Sequence, residues 1–153
     1  MKAVVLSVSL IVFACPAFAQ DQTRMVIVKP EALNWMAAPS MGKGAQAAEL
    51  LGDSSKAGEY VLRIKIPANF KIMPHTHPDA ETVTVLSGSF GIGMGERFTP
   101  GGDLLKAGAL FTVPARHAHF AWTGLEVTII QVNGVGPSGT EYINPADDPR
   151  KVQ

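Results

Sequence analysis

All four histidines of the chain stand in two short segments. The first reads Pro74-His75-Thr76-His77-Pro78-Asp79-Ala80-Glu81, and the second Pro114-Ala115-Arg116-His117-Ala118-His119. In extended backbone, residues two apart point to the same face. His75, His77 and Glu81 therefore share one parity, as do His117 and His119. If both segments are strands facing one interior, nitrogen and oxygen donors from both converge. Imidazoles with a carboxylate suit one divalent transition metal ion: Zn, Cu, Fe, Mn or Ni. Imidazole binds through a neutral nitrogen, so deprotonation near neutral pH costs little, and the carboxylate offsets part of the metal charge. The alternative is a set of surface or capping histidines. The second pair, the glutamate and the absence of any other histidine favour the metal.

The elements that must position these residues are short strands. Tyr60, Leu62, Ile64 and Ile66 alternate with Val61, Arg63 and Lys65, the period of a half-buried strand, and Pro67 ends it. Gln46 to Leu51 precedes it across a turn cluster from Gly52 to Gly58, so the two form a hairpin with a long loop. Thr82 to Leu86, Leu110 to Pro114, His119 to Trp122, Val127 to Val132 and Thr140 to Ile143 are further strands, and Met25 to Val28 is read as an edge strand. Gly91, Gly93 and Gly95 lie within Phe90 to Phe98 with no helix pattern after them. They mark bends or close backbone approach rather than a nucleotide-binding loop. No stretch has an amphipathic helix of three turns. Many short strands with Gly/Pro turns predict an all-β sandwich or barrel.

With those residues in view, the chain resembles the cupins. Their first motif is H-x-H, three residues, Glu, six residues, Gly. It is met here by His75, His77, Glu81 and Gly88. Their second motif is met by Gly108, Pro114 and His119. The resemblance covers about Glu59 to Gly134. It implies an antiparallel, jelly-roll-like cupin β-barrel and a metal held by His75, His77, Glu81 and His119. Three positions depart from the pattern: Asn69 and Arg116 stand where glycine is usual, and Thr123 where asparagine is usual. Arg116 points either to the barrel mouth, toward an anionic substrate, or into solvent. His117 is an extra imidazole, read as a general base beside the metal, as a partner behind a ligand, or as exposed. His117 and Glu81 are the candidate catalytic residues. Gln131, polar within an apolar strand, is a candidate to face the cavity. Tyr60, Phe111, Phe120 and Trp122 are core or pocket aromatics.

The bulk composition narrows the function. The chain has 153 residues, 46% hydrophobic and 17% charged, with zero formal net charge. That fits one globular domain and argues against a nucleic-acid groove or a membrane surface as partner. Residues 1–19 read as a signal peptide: one early lysine, a short apolar run, and Ala17-Phe18-Ala19 as the cleavage site. The expected protein is exported, periplasmic or secreted after cleavage following Ala19. Its one cysteine, Cys15, is lost with the signal, leaving no disulfide and no thiolate ligand. A chain exported unfolded takes its metal outside the cytoplasm, where affinity favours Cu or Zn, while a carboxylate ligand pulls partly the other way. The remaining organisation is an N-terminal arm (20–44), the β domain (45–143) and a polar C-terminal tail (144–153). The arm, with Trp35 plugged onto the domain, is suited to making a homodimer.

Three functions follow from this reading. The favoured one is a small secreted metalloenzyme acting on an oxygen-chelating small molecule, of dioxygenase type. The second is a non-catalytic periplasmic metal- or ligand-binding protein. The third is a structural cupin with an empty interior.

Overall fold

A computed structural model describes residues 25–151; the expected signal peptide lies outside the described residues. In chain order the strands are β1 (Met36–Ala37), β2 (Gln46–Leu51), β3 (Gly58–Ile66), β4 (Lys71–Thr76), β5 (Glu81–Ser87), β6 (Ser89–Met94), β7 (Leu105–Lys106), β8 (Leu110–Val113), β9 (His119–Thr123), β10 (Thr128–Gly136) and β11 (Glu141–Tyr142). Helix among the described residues is confined to the 3-10 turns Pro30–Ala32 and Pro145–Asp147, and none is long and apolar enough to cross a membrane. The fold is all-β and antiparallel, as the alternation and turn spacing predict.

The strands form two facing sheets. One has the order β1-β2-β3-β10-β5-β8, the other β11-β4-β9-β6-β7. The hydrogen-bond ladders do not run from one sheet into the other, so the architecture is an open jelly-roll sandwich rather than a closed barrel. The core lies between the sheets, where inward side chains of both interleave.

Strand register sorts these inward residues into layers. In the first sheet Tyr60, Gly134, Glu81 and Val113 lie side by side across β3, β10, β5 and β8. One side-chain step along come Leu62, Val132, Val83 and Phe111. A further step along are Ile64, Ile130 and Val85. The second sheet matches this order. His75 pairs with His119, and Ala121 lies between Ile72 and Ile92. Across these strands the polar groups gather at one end, and apolar groups fill the layers beyond it, with Thr128 at the far end. Ile66, Val85 and Thr128 are fully buried at the far end. There the Thr128 hydroxyl donates to the Ser89 carbonyl at 3.0 Å, satisfying the one polar side chain.

The glycines of β6 serve close approach, as the sequence pattern implies. A β-carbon on Gly91 would collide with the Trp122 ring, and one on Gly93 with the Phe120 ring. Both rings lie flat on the outer face of the second sheet, 6.0 Å apart and stacked, with Phe98 folded over Phe120 at 5.2 Å. Gly91→Ala is expected to cost about 1–3 kcal/mol of stability through overpacking, read as a lower urea midpoint. An unchanged midpoint would show that Trp122 moves aside freely.

One expectation about the N-terminal region needs correction. Met25 to Val28 is not a strand. Its residues are 87%, 62%, 74% and 37% exposed, because the edge beside β2 is taken by β1 instead. The arm therefore contributes a strand of its own, and Trp35 lies under Lys65, whose ammonium is 4.9 Å from the ring centre. The polar C-terminal segment folds back on the domain. Asp148 is buried and accepts from Arg150 Nε at 2.7 Å and Nη2 at 2.9 Å. The Tyr142 hydroxyl donates to the Ser40 carbonyl at 2.7 Å, tying this segment to the arm.

Candidate metal centre

His75 is carried by β4, His119 opens β9 directly opposite it, and His77 follows the end of β4. Each offers one nitrogen to a cluster whose ligating atoms lie within 4.8 Å of one another. The His75 and His119 ring centres are 4.2 Å apart, and His77 is 4.9 and 5.1 Å from them. A backbone hydrogen bond from the Arg116 amide to the His77 carbonyl, 2.8 Å, joins the two histidine segments.

Every ring of the cluster is held through Nδ1. His75 Nδ1 lies 2.7 Å from the Met73 carbonyl, His77 Nδ1 2.7 Å from that of Gly139, and His119 Nδ1 2.9 Å from that of His117. A carbonyl only accepts, so each Nδ1 carries the proton and donates it. A neutral ring then keeps its lone pair on Nε2, the arrangement that orients histidine toward a metal. Burial favours the neutral form. Desolvation, helped by the neighbouring imidazoles, pushes His75 down to about 3. Desolvation pushes His119 down to about 4. The residues present therefore fit a transition metal.

Glu81, the first residue of β5, faces the cluster from the opposite sheet. Its Oε2 lies 3.6 Å from His77 Nε2. Burial raises its pKa above the usual carboxyl range, and the nearby His77 opposes that shift. The structure thus brings His75, His77 and His119 into one cluster, while Glu81 stands beside His77 and outside the set of donor atoms that meet within 4.8 Å.

Sequence reasoning missed the group behind Glu81. The Tyr60 hydroxyl lies 2.7 Å from Asp79 Oδ2 and 3.3 Å from Glu81 Oε1, bridging the two carboxylates. Gly134 makes the room, since a β-carbon there would fall 2.5 Å from the Tyr60 hydroxyl and 2.6 Å from Asp79 Oδ2. The other Asp79 oxygen, Oδ1, is the one buried side-chain oxygen among the described residues without a protein partner. A glycine inside the strand, between Asn133 and Val135, was the available signal.

Three residues whose place the sequence left open lie away from the cavity. His117 is exposed, with Nδ1 3.3 Å from the Ala115 carbonyl, and it does not line the cavity. The parity argument does not reach it because β9 begins only at His119 and His117 sits in the preceding turn. Arg116 is also exposed, at the solvent side of that turn. Gln131 points away from the cavity and accepts from Arg63 Nε at 3.2 Å on the outer face.

The positions where glycine is usual in the resembling family explain themselves. Asn69 and Arg116 are the non-glycine residues with positive φ among the described residues, at 53° and 60°. Both keep the left-handed turn and bear the steric cost of a β-carbon there. Arg116→Gly is therefore expected to stabilise the protein by about 0.5–1 kcal/mol, with metal affinity unchanged. A thermal melt alongside a metal titration checks both, and a loss of stability would count against the strain argument. Thr123 likewise has a use: its hydroxyl donates to the Pro67 carbonyl at 2.6 Å and accepts from the Phe70 amide at 2.9 Å, pinning the turn around Asn69.

The cluster opens into a cavity of about 620 Å³ between the sheets. The arm at Met36 and Met41 and the C-terminal segment at Tyr142 and Arg150 also line it.

Comparison with known proteins agrees with this fold. A family model described as the ChrR Cupin-like domain matches residues 23–130. No curated protein matches the sequence. Among solved structures, the polyketide cyclase RemF from Streptomyces resistomycificus is similar at TM-score 0.68 and 16% identity, over 84% of this chain and 92% of that one. An RmlC-like cupin from Shewanella frigidimarina NCIMB 400 is similar at TM-score 0.58 and 17% identity, over 74% and 93%. KdgF from Halomonas sp. is similar at TM-score 0.57 and 16% identity, over 74% and 96%. At these identities the likeness is one of fold.

Proposed function

The chain belongs to the ChrR cupin-like domain family, and on that premise we propose that it is a metal-dependent enzyme acting on a small organic molecule that carries oxygen donors. His75, His77 and His119, with Glu81, would hold one divalent transition metal. The observation that carries this reading is the set of Nδ1–carbonyl contacts, which leaves three Nε2 lone pairs free in one buried cluster. A metal there supplies Lewis-acid polarisation of an oxygen-bearing ligand and open coordination positions for it. The chain's own residues do the rest. Burial keeps His75 and His119 unprotonated at neutral pH. Tyr60 steadies the Glu81 carboxylate, and aliphatic side chains line the cavity beside it.

Dioxygenase-type oxidation is the reaction we favour, because such a donor set would leave coordination positions open to dioxygen or a substrate oxygen. The names of structural neighbours, a polyketide cyclase and a DMSP lyase among them, indicate that the fold also serves other chemistry. One observation favours a non-catalytic ligand-binding role instead: with His117 outside, no imidazole beyond the cluster lines the cavity. Oxygen uptake against a panel of oxygen-chelating compounds separates the two. Uptake that depends on substrate and is lost in Glu81→Gln supports the enzyme. Tight metal and ligand binding without turnover supports the binder, and protein that retains no metal sinks both. We also propose export, on the strength of residues 1–19 alone, with metal acquired outside the cytoplasm.

A further inference from the structure

We propose that the cavity takes an amphiphilic small molecule, its oxygen-bearing head at the histidine layer and an apolar body in the chamber beneath. This deepens the function proposed above and rests on it only for the head group.

The division follows from strand register. The layer containing His75, His119 and Glu81 holds the polar groups. The next two layers inward expose Leu62, Val83, Val132, Ile64 and Ile130 from one sheet to the cavity. Ile72, Ala121 and Ile92 face them from the other. On β3, β5 and β10 no hydrogen-bonding side chain enters these two layers, because Arg63 and Gln131 pair on the outer face. The polar group beside them is Glu49 of β2, exposed next to Leu62, with its Oε1 accepting from the Ser54 amide and hydroxyl. Phe90 and Phe111 stack across the sheets, ring centres 5.7 Å apart, and also line the space.

Leu62, Ile64, Ile92 and Phe111 are only partly buried although they point inward. Their accessible surface lies in the cavity, so it is apolar area that folding alone has not covered. A wholly polar ligand would leave that surface wet, while a wholly apolar one would strand the histidines and Glu81. A molecule with both ends satisfies both layers. Two strand residues advance the wall by about 7 Å, so the two apolar layers accept a body longer than a methyl or ethyl group. Ala121, small and placed between two isoleucines, keeps the middle of the chamber open.

The test is a chain-length series of hydroxamates, acetohydroxamate to octanohydroxamate, measured by calorimetry on zinc-loaded and on metal-free protein, with bound zinc counted by elemental analysis. Affinity for the zinc-loaded protein should rise roughly 100-fold along the series. Ala121→Leu, which fills the chamber, should flatten that rise while leaving zinc content and acetohydroxamate binding unchanged. Leu62→Asn, which makes the wall polar at a partly buried position, should do the same if the first variant folds poorly. Affinity independent of chain length, or a rise that both variants preserve, overturns the proposal. Protein that retains no zinc fails the metal reading alone. The series on metal-free protein then decides the chamber: a rise abolished by Ala121→Leu supports it, and no rise overturns it.

Discussion

Replacing His119 by alanine is expected to abolish stoichiometric metal binding. The substitution removes one of three nitrogens that meet within 4.8 Å, and that nitrogen comes from the opposite segment to the other two. Only His75 and His77, with Glu81 beside His77, would remain. The loss in affinity should exceed the roughly 10–100-fold that follows when only a supporting partner of a ligand is removed. His117→Ala is the matched control, since its ring is exposed and outside the cavity. Elemental analysis after dialysis against a weak chelator reads the result. Full metal content in His119→Ala, or loss in His117→Ala, would reject the assignment.

The second large effect is acid sensitivity of the metal-free protein. His75 and His119 titrate at about 3 and about 4 in the fold, against an ordinary 6.5. Below pH 6.5 the unfolded chain takes up protons at these rings while the folded chain does not. The unfolded state binds more protons, so stability rises with pH in this window. The contribution is complete above the unfolded value and is lost as pH falls from about 6.5 toward the folded values. Each ring contributes about 1.4 kcal/mol per pH unit at most, so the pair costs about 2–3 kcal/mol per unit between pH 6 and 4. Burial raises Glu81, which works in the opposite sense, one carboxyl against two imidazoles. Urea unfolding of metal-free protein from pH 7 to 4.5 should show this slope, and His119→Ala should show about half of it. A flat profile in the wild type would mean the rings are hydrated and not held neutral by burial.

These two expectations rest on a site that was partly readable in the amino-acid order. The two motifs marked His75, His77 and His119, the three residues that meet, because motif spacing in short strands translates directly into facing side chains. The alternation of Tyr60 to Ile66 and the β-branched runs marked the strands, and the glycines of β6 marked the close ring packing. Parity failed at His117, because it holds only while the backbone stays extended and the turn at Arg116 breaks it. The two-residue strands β1 and β7 carry too few residues for any period. Tyr60, Asp79 and Glu81 meet only through the pairing of β3, β10 and β5, and cross-strand register is a property of the assembled sheet. The layering of the cavity was hidden for the same reason.

That layering bears on how such a protein changes over generations. Inward and outward residues alternate along each wall strand, so Leu62, Ile64, Ile130 and Val132 are interleaved with Arg63, Lys65 and Gln131 but not coupled to them by face. Selection can recut the hollow at the first set while solubility stays with the second. The histidine layer, at the strand ends, is untouched by either. A small combinatorial library over the inward positions would therefore sample many specificities on one unaltered reactive centre, making the scaffold itself easy to repurpose.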